Sequence, residues 1–257
     1  MKKIRIVAVV AMLAMGLMLS SCNLADFINT TVSDVVQEVG GFAFSEMGGG
    51  ETVTLGVYSG DFSGLYVSLA NNAVTIHFHV EDMVRVDYSP PITGNYNVPN
   101  VGHDASGRIE ITEPLNVTID SNYRQPGMVD VFLPHGSVMP SADMTLGSTN
   151  GGVRVLGSAD HLPSTIEIST INGIVEIGNF SAHGVMVTAV NGTISGNHLQ
   201  ANFIDFRTTN GVITLRDSVV FDELTARTIN GGVVIENVSA DMDRADLNAV
   251  NGFVTVR

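Results

Sequence analysis

The stretch Ser169-Thr170-Ile171-Asn172-Gly173-Ile174-Val175-Glu176-Ile177 decides how the rest of the sequence is read. An asparagine-glycine pair sits between two short segments in which apolar and polar residues alternate. The pair recurs at Asn150, Asn172, Asn191, Asn210, Asn230 and Asn251, with spacings of 22, 19, 19, 20 and 21 residues. A period of that length marks stacked units. Four residues before the asparagine stand Leu146, Ile168, Val187, Phe206, Ala226 and Leu247. Six before it stand Met144, Ile166, Val185, Ile204, Leu224 and Ala245. Two before, every residue is small: Ser148, Thr170, Ala189, Thr208, Thr228 and Ala249. Three after, every residue is β-branched: Val153, Val175, Ile194, Ile213, Val233 and Val254. The intervening positions are mostly polar, as at Ser169, Thr188, Arg207, Arg227 and Asn248. Period two on both sides of a glycine turn predicts two short strands with one buried face.

Two architectures satisfy that pattern. Asn-Gly between alternating strands is the strongest short-range signal for a type I′ hairpin, and six hairpins make a meander. Alternatively each pair is a corner of a β-solenoid, in which every coil stacks on the next. A meander gives no reason to hold residue size constant at one position in six units. A solenoid does, because like residues lie one above another at about 4.8 Å. The expected fold is therefore all-β, a single-stranded β-solenoid of about six coils of about 20 residues over 141–257. The six asparagines should form a ladder of side-chain amides along one edge. Each following glycine is expected to have a positive φ, which β-branched residues resist.

At these residues the chain resembles the bacterial putative-adhesin domain family of unknown function. Its recurrent T-[VI]-N-G units are matched by Thr170-Ile171-Asn172-Gly173 and Thr228-Ile229-Asn230-Gly231, and its upstream Leu-Pro strand end by Val129-Asp130-Val131-Phe132-Leu133-Pro134. The resemblance runs from about Val129 to Arg257 and is loose from Glu51 to Met128. It implies a right-handed β-solenoid exported to the cell envelope.

Upstream, 51–140 reads as a less regular β-rich region. Val53 to Val57, Leu65 to Leu69, Val74 to Val80, Val84 to Tyr88 and Leu115 to Ile119 alternate as strands do. A loop from Ser89 to Gly107, with Pro90, Pro91 and Pro99, separates them; a loop of that length is either functional or a disordered insertion.

The first 21 residues read as an export signal. Lys2, Lys3 and Arg5 form a basic start, and Ile6 to Leu19 is an uncharged apolar run too short to span a bilayer. Leu19-Ser20-Ser21-Cys22 resembles a bacterial lipoprotein lipobox, which implies diacylglyceryl transfer to Cys22, cleavage before it and acylation of the new amino terminus. Two or more chains give stable anchoring to a membrane. In a double-membraned host, Asn23 favours outer-membrane sorting; otherwise the anchor sits on the outer face of the plasma membrane. Residues 22–50 form a tether. Ile28, Val32, Val35, Val36 and Val39 lie at helical spacing, and Gly48-Gly49-Gly50 is a flexible joint.

Charge and composition narrow the function. The chain has 26 acidic and 12 basic residues, and without the three basic residues of the leader the body carries 26 − 9 = 17 net negative charges. Such a surface repels phosphate backbones, so nucleic-acid binding is not expected. One cysteine makes no internal disulfide. The sequence has no nucleophile elbow, P-loop, zincin motif or Cys/His cluster, and no cofactor is expected. His77 and His79 share a strand face and would bind a metal only with a third ligand such as Glu81 or Asp82; two solvated imidazoles are the plainer reading. Asp241, Asp243 and Asp246 lack the glycine and closing glutamate of a calcium loop. Asp205 and Glu167 are expected to project from neighbouring coils at the same aligned position, five before the asparagine, which raises the two-carboxylate chemistry of β-helical polysaccharide-active enzymes. Arg207 and Arg227 stack similarly, either to grip an anion or to blunt an edge. Tyr58, Phe62 and Tyr66 are the aromatics left for stacking on a sugar.

The expected function is a lipid-anchored envelope module without enzymatic activity, an adhesin-type or structural protein with a protein or glycan ligand. The alternative is a periplasmic accessory or sensory subunit; a β-helical enzyme ranks third. The final strand, Phe253 to Arg257, lacks a visible cap, which predicts weak end-to-end self-association or an internal cover.

Overall fold

The computed structural model describes residues 48–59, 62–91, 98–114, 126–134, 143–159 and 164–257. All belong to one compact unit, Ala43–Arg257. Cys22, the helical spacing at 28–39 and the expected strand at 115–119 lie outside the described residues.

The alternating segments become strands β1 (Val53–Ser59), β2 (Gly64–Leu69), β3 (Ala73–His79), β4 (Met83–Ser89), β5 (Asn100–His103), β6 (Arg108–Thr112), β7 (Met128–Pro134), β8 (Asp143–Ser148), β9 (Val153–Ala159) and β10 (Thr165–Thr170). Four longer ones follow: β11 (Val175–Asn191), β12 (Ile194–Arg216), β13 (Val219–Glu236) and β14 (Ala245–Val256). All share one sheet. From β8 onward every pairing between successive coils is parallel. Ile168 sits between Leu146 and Val187, and Phe206 between Val187 and Ala226. Like residues therefore stack on like, and the chain is a β-solenoid, not a hairpin meander. The apolar positions on both sides of the Asn-Gly turn line one continuous core.

The solenoid reaches further upstream than 141. Strand β2 pairs parallel with β8 on one side and β6 on the other, and β3 pairs parallel with β9 and β7. The coil formed by β2 and β3 thus lies between β8–β9 and β6–β7, although it precedes both in sequence. Beyond it the direction reverses. Strand β4 pairs antiparallel with β7, β1 with β4, and β5 with β6. Antiparallel strands end the parallel stack there. Strand β5 lies in the segment expected as a structureless loop, and four of its residues pair with β6.

The turn glycines correct the expected backbone. Of the six, only Gly231 has a positive φ, at 155°. The demand for glycine comes instead from close approach between rungs. A Cβ on Gly173, Gly192, Gly211, Gly231 or Gly252 would fall far inside 3.0 Å of the carbonyl oxygen of the glycine one coil earlier. Only a Cα hydrogen fits there, pointing at that oxygen. The small residue two before the asparagine serves the same oxygens. Thr208 Oγ1 donates to Gly192 O and Thr228 Oγ1 to Gly211 O, each at 3.2 Å. Left-handed backbone appears at the next corner, seven residues after the asparagine. There Asn179, His198, Asp217 and Asn237 have φ of 61°, 51°, 47° and 51°. Asparagine, aspartate and histidine are the non-glycine residues most at ease in that region.

Glu113 closes a different turn. It is buried, and its Oε2 accepts the backbone N–H groups of Ala70, Asn71 and Asn72 at 2.9, 2.9 and 3.3 Å.

Candidate functional site

The asparagine ladder forms as the spacing predicts. Asn172 Nδ2 donates to Asn150 Oδ1, Asn191 to Asn172 and Asn251 to Asn230, each at 2.9 Å; Asn210 donates to Asn191 and Asn230 to Asn210, each at 2.7 Å. It has one more rung than expected. Asn150 Nδ2 donates to Asn71 Oδ1 at 2.9 Å. The signal at Asn71 was present in Leu65 and Val67 before it and Val74 and Ile76 after it, at the repeat's own offsets. Asn72 in the place of glycine concealed it.

Beside the ladder, from Asn172 onward, runs a second row one residue before each asparagine: Ile171, Val190, Thr209, Ile229 and Val250. Ile171, Val190, Ile229 and Val250 are exposed by 46, 39, 47 and 68%. The inner neighbours Thr170, Ala189, Thr208 and Thr228, two before the asparagine, are buried, so the outward direction follows from the period of the strand. The result is an apolar row, broken at Thr209, on rungs about 4.8 Å apart along a wall of amides. An exposed apolar row marks an interaction surface more often than scattered single residues do.

Arg207 and Arg227 are each paired with an aspartate. Arg207 donates to both oxygens of Asp205 at 2.7 and 2.8 Å. Those hydrogen bonds, with the charge of Asp205, push the Arg207 pKa further up. Arg227 binds Asp246 of the next coil. Neither arginine is thus an open anion grip. Glu167 and Asp205 are two coils apart, with Met186 between them in register. That corrects the expectation of neighbouring coils, and Asp205 is already engaged by Arg207. Asp241 accepts the Asp243 N–H at 3.1 Å within a 3-10 turn, while Asp246 faces Arg227, so the three aspartates do not converge.

His77 and His79 lie on one face of β3. His77 Nε2 is 2.8 Å from Asp130 Oδ1, and its ring stacks on Phe132 at 4.7 Å. The Arg85 guanidinium lies 4.1 Å from the Phe132 centroid. Because Phe132 pairs with His77 on one side and Arg85 on the other, the three form a layered stack across β3, β7 and β4. His79 Nε2 meets Met83 O at 2.8 Å, and its Nδ1 lies 3.6 Å from Glu81. Among the described residues, no group of three or more His, Cys, Asp or Glu is placed to hold a metal ion.

The three aromatics separate. Tyr66 lies under Arg108 at 5.6 Å. Tyr58 and Phe62 help to line a cleft of about 550 Å³ between β1, β4 and the β5–β6 turn. Tyr58 meets His103 edge-on at 5.9 Å. On the same wall Asp104 accepts the Ser106 hydroxyl at 2.6 Å, which holds its pKa below the ordinary carboxylate value.

No protein-family model matches the chain, and no curated protein matches it. Nine chains of known structure do. One is a putative cell adhesion protein from Clostridium sporogenes, 10% identical with a TM-score of 0.36, covering 80% of this chain and 99% of that one. A putative adhesin from Bacteroides fragilis is 12% identical with a TM-score of 0.39, covering 81% and 98%. A putative lipid binding protein from Parabacteroides distasonis is 12% identical with a TM-score of 0.33, covering 82% and 98%.

Proposed function

We infer that this protein is an exported, lipid-anchored module of the cell envelope that binds a protein or glycan partner along the ladder edge, in the manner of an adhesin. The observation that carries the reading is the exposed stripe of Ile171, Val190, Ile229 and Val250 beside the amides. The lipobox at Leu19 to Cys22 supports the anchor, and the acidic body supports a partner that is not a nucleic acid. The module acts by binding, not by catalysis. An array of like residues at one spacing suits an extended ligand, because four of the five rungs from Asn172 onward offer the same kind of apolar contact and the contacts add along its length.

Antibody binding to intact and permeabilised cells, with fatty-acid labelling, tests this reading. The wild type is expected to be labelled and to be detected on intact cells. Cys22→Ala should lose both the label and detergent-phase partitioning. Detection only after permeabilisation would support the accessory-subunit alternative instead. An unlabelled wild type that stays membrane-bound would refute the anchor.

A further inference from the structure

Asn-Gly is the dipeptide most prone to lose its side-chain amide, and this chain has it at Asn150, Asn172, Asn191, Asn210, Asn230 and Asn251. In that reaction hydroxide removes the glycine N–H proton, and the nitrogen attacks Cγ of the asparagine. The new N–Cγ bond closes a succinimide ring, the Cγ–Nδ2 bond breaks, and ammonia leaves with a proton taken back from water. Water then opens the ring at either carbonyl, giving aspartate or isoaspartate. The reaction needs a glycine N–H free of hydrogen bonding and a carboxamide free to turn.

At Asn191–Gly192 neither condition holds. Gly192 N donates to Asn210 O at 3.1 Å. The Asn191 amide donates to Asn172 at 2.9 Å and accepts from Asn210 at 2.7 Å. Asn210 is held in the same way between Asn191 and Asn230. Asn251 differs. Its Nδ2 reaches Asn230 Oδ1, but among the described residues no donor meets its own Oδ1. Gly252 pairs in register with Gly231, so its N–H, like that of Gly192, faces the following rung. Among the described residues no strand pairs with β14 on that side. Asn251 and Gly252 are both exposed.

We propose that Asn251 is the protein's site of spontaneous deamidation, and that the amide ladder protects the pairs inside the stack. The product loosens one coil selectively. An aspartate at this position cannot donate to Asn230, so the last ladder bond is lost and a negative charge is added. Isoaspartate also lengthens the backbone of that rung by one methylene.

The full chain, incubated folded at mildly alkaline pH, is digested and its Asn, Asp and isoAsp peptides are quantified by mass spectrometry. Asn251 is expected to convert at least about tenfold faster than Asn191 or Asn210, each of which must first open locally. In denaturant the difference should vanish. Conversion of Asn191 or Asn210 at the Asn251 rate in the folded protein would overturn the protection. An Asn251 that stays intact when folded yet converts when denatured would overturn its assignment as the site.

Discussion

Substituting alanine for Gly192 is expected to lower the unfolding free energy by about 3 kcal/mol or more, the upper range for overpacking a rigid interior. The added methyl meets the Gly173 carbonyl oxygen, a backbone atom that cannot move aside without separating two rungs. The parallel hydrogen bonds on either side of the corner then lengthen together. Substituting glycine for His198 provides the contrast. His198 has φ of 51°, so glycine relieves its backbone strain while adding freedom to the unfolded chain. The two effects oppose each other, and stability should stay within about 1 kcal/mol of wild type. Urea midpoints of the two variants check the pair. A silent Gly192→Ala with a damaging His198→Gly would mean that the two corners have been assigned the wrong constraints.

Glu113→Ala is expected to cost about 3 kcal/mol or more, because it strands buried donors at about 1–3 kcal/mol each. The carboxylate accepts three consecutive backbone N–H groups where β2 turns into β3, and Asn71 and Asn72 are buried there. Glu113→Gln keeps an acceptor oxygen for the three amides, gives up the charge assistance and puts its NH2 where Oε1 is buried without a partner, so its loss should be about 1–3 kcal/mol, below that of alanine. Thermal unfolding of both variants measures the difference. Equal losses would show that the charge, and not the acceptor, holds the turn.

The stack from 141 onward was legible because parallel coils force equivalent positions to match. A residue such as Phe206, read against Val187 and Ala226, already carries its neighbours' identities. The coil at 62–79 was hidden for two physical reasons. Asn72 replaces the marker glycine, and its neighbour in space, β8, is separated from it in sequence by β4 to β7. Alternation gives the face of a strand but not its partner. The reason for glycine is not legible in sequence, because a turn glycine suggests φ, whereas the close contact arises only once coils are stacked. Glu113 gave no signal, since a buried carboxylate on three amides depends on a turn that the sequence does not reveal. The apolar stripe could be read, in that the residue before each asparagine points outward. Its significance became clear only when the amides beside it were seen to be satisfied by one another.

The chain doubles back to build one solenoid, with β2 between β6 and β8. Disulfide trapping tests it most directly. In a Cys22→Ala background no other thiol is present. Tyr66 and Thr145 are paired in register on parallel strands, where Cα atoms lie about 4.8 Å apart, within the span a disulfide bridges. Thr145 and Glu167 form the equivalent pair one coil on. Both cysteine pairs are predicted to cross-link on mild oxidation of the folded protein. Cross-linking of the Thr145–Glu167 pair without the Tyr66–Thr145 pair would contradict the account, leaving a solenoid that starts at β8.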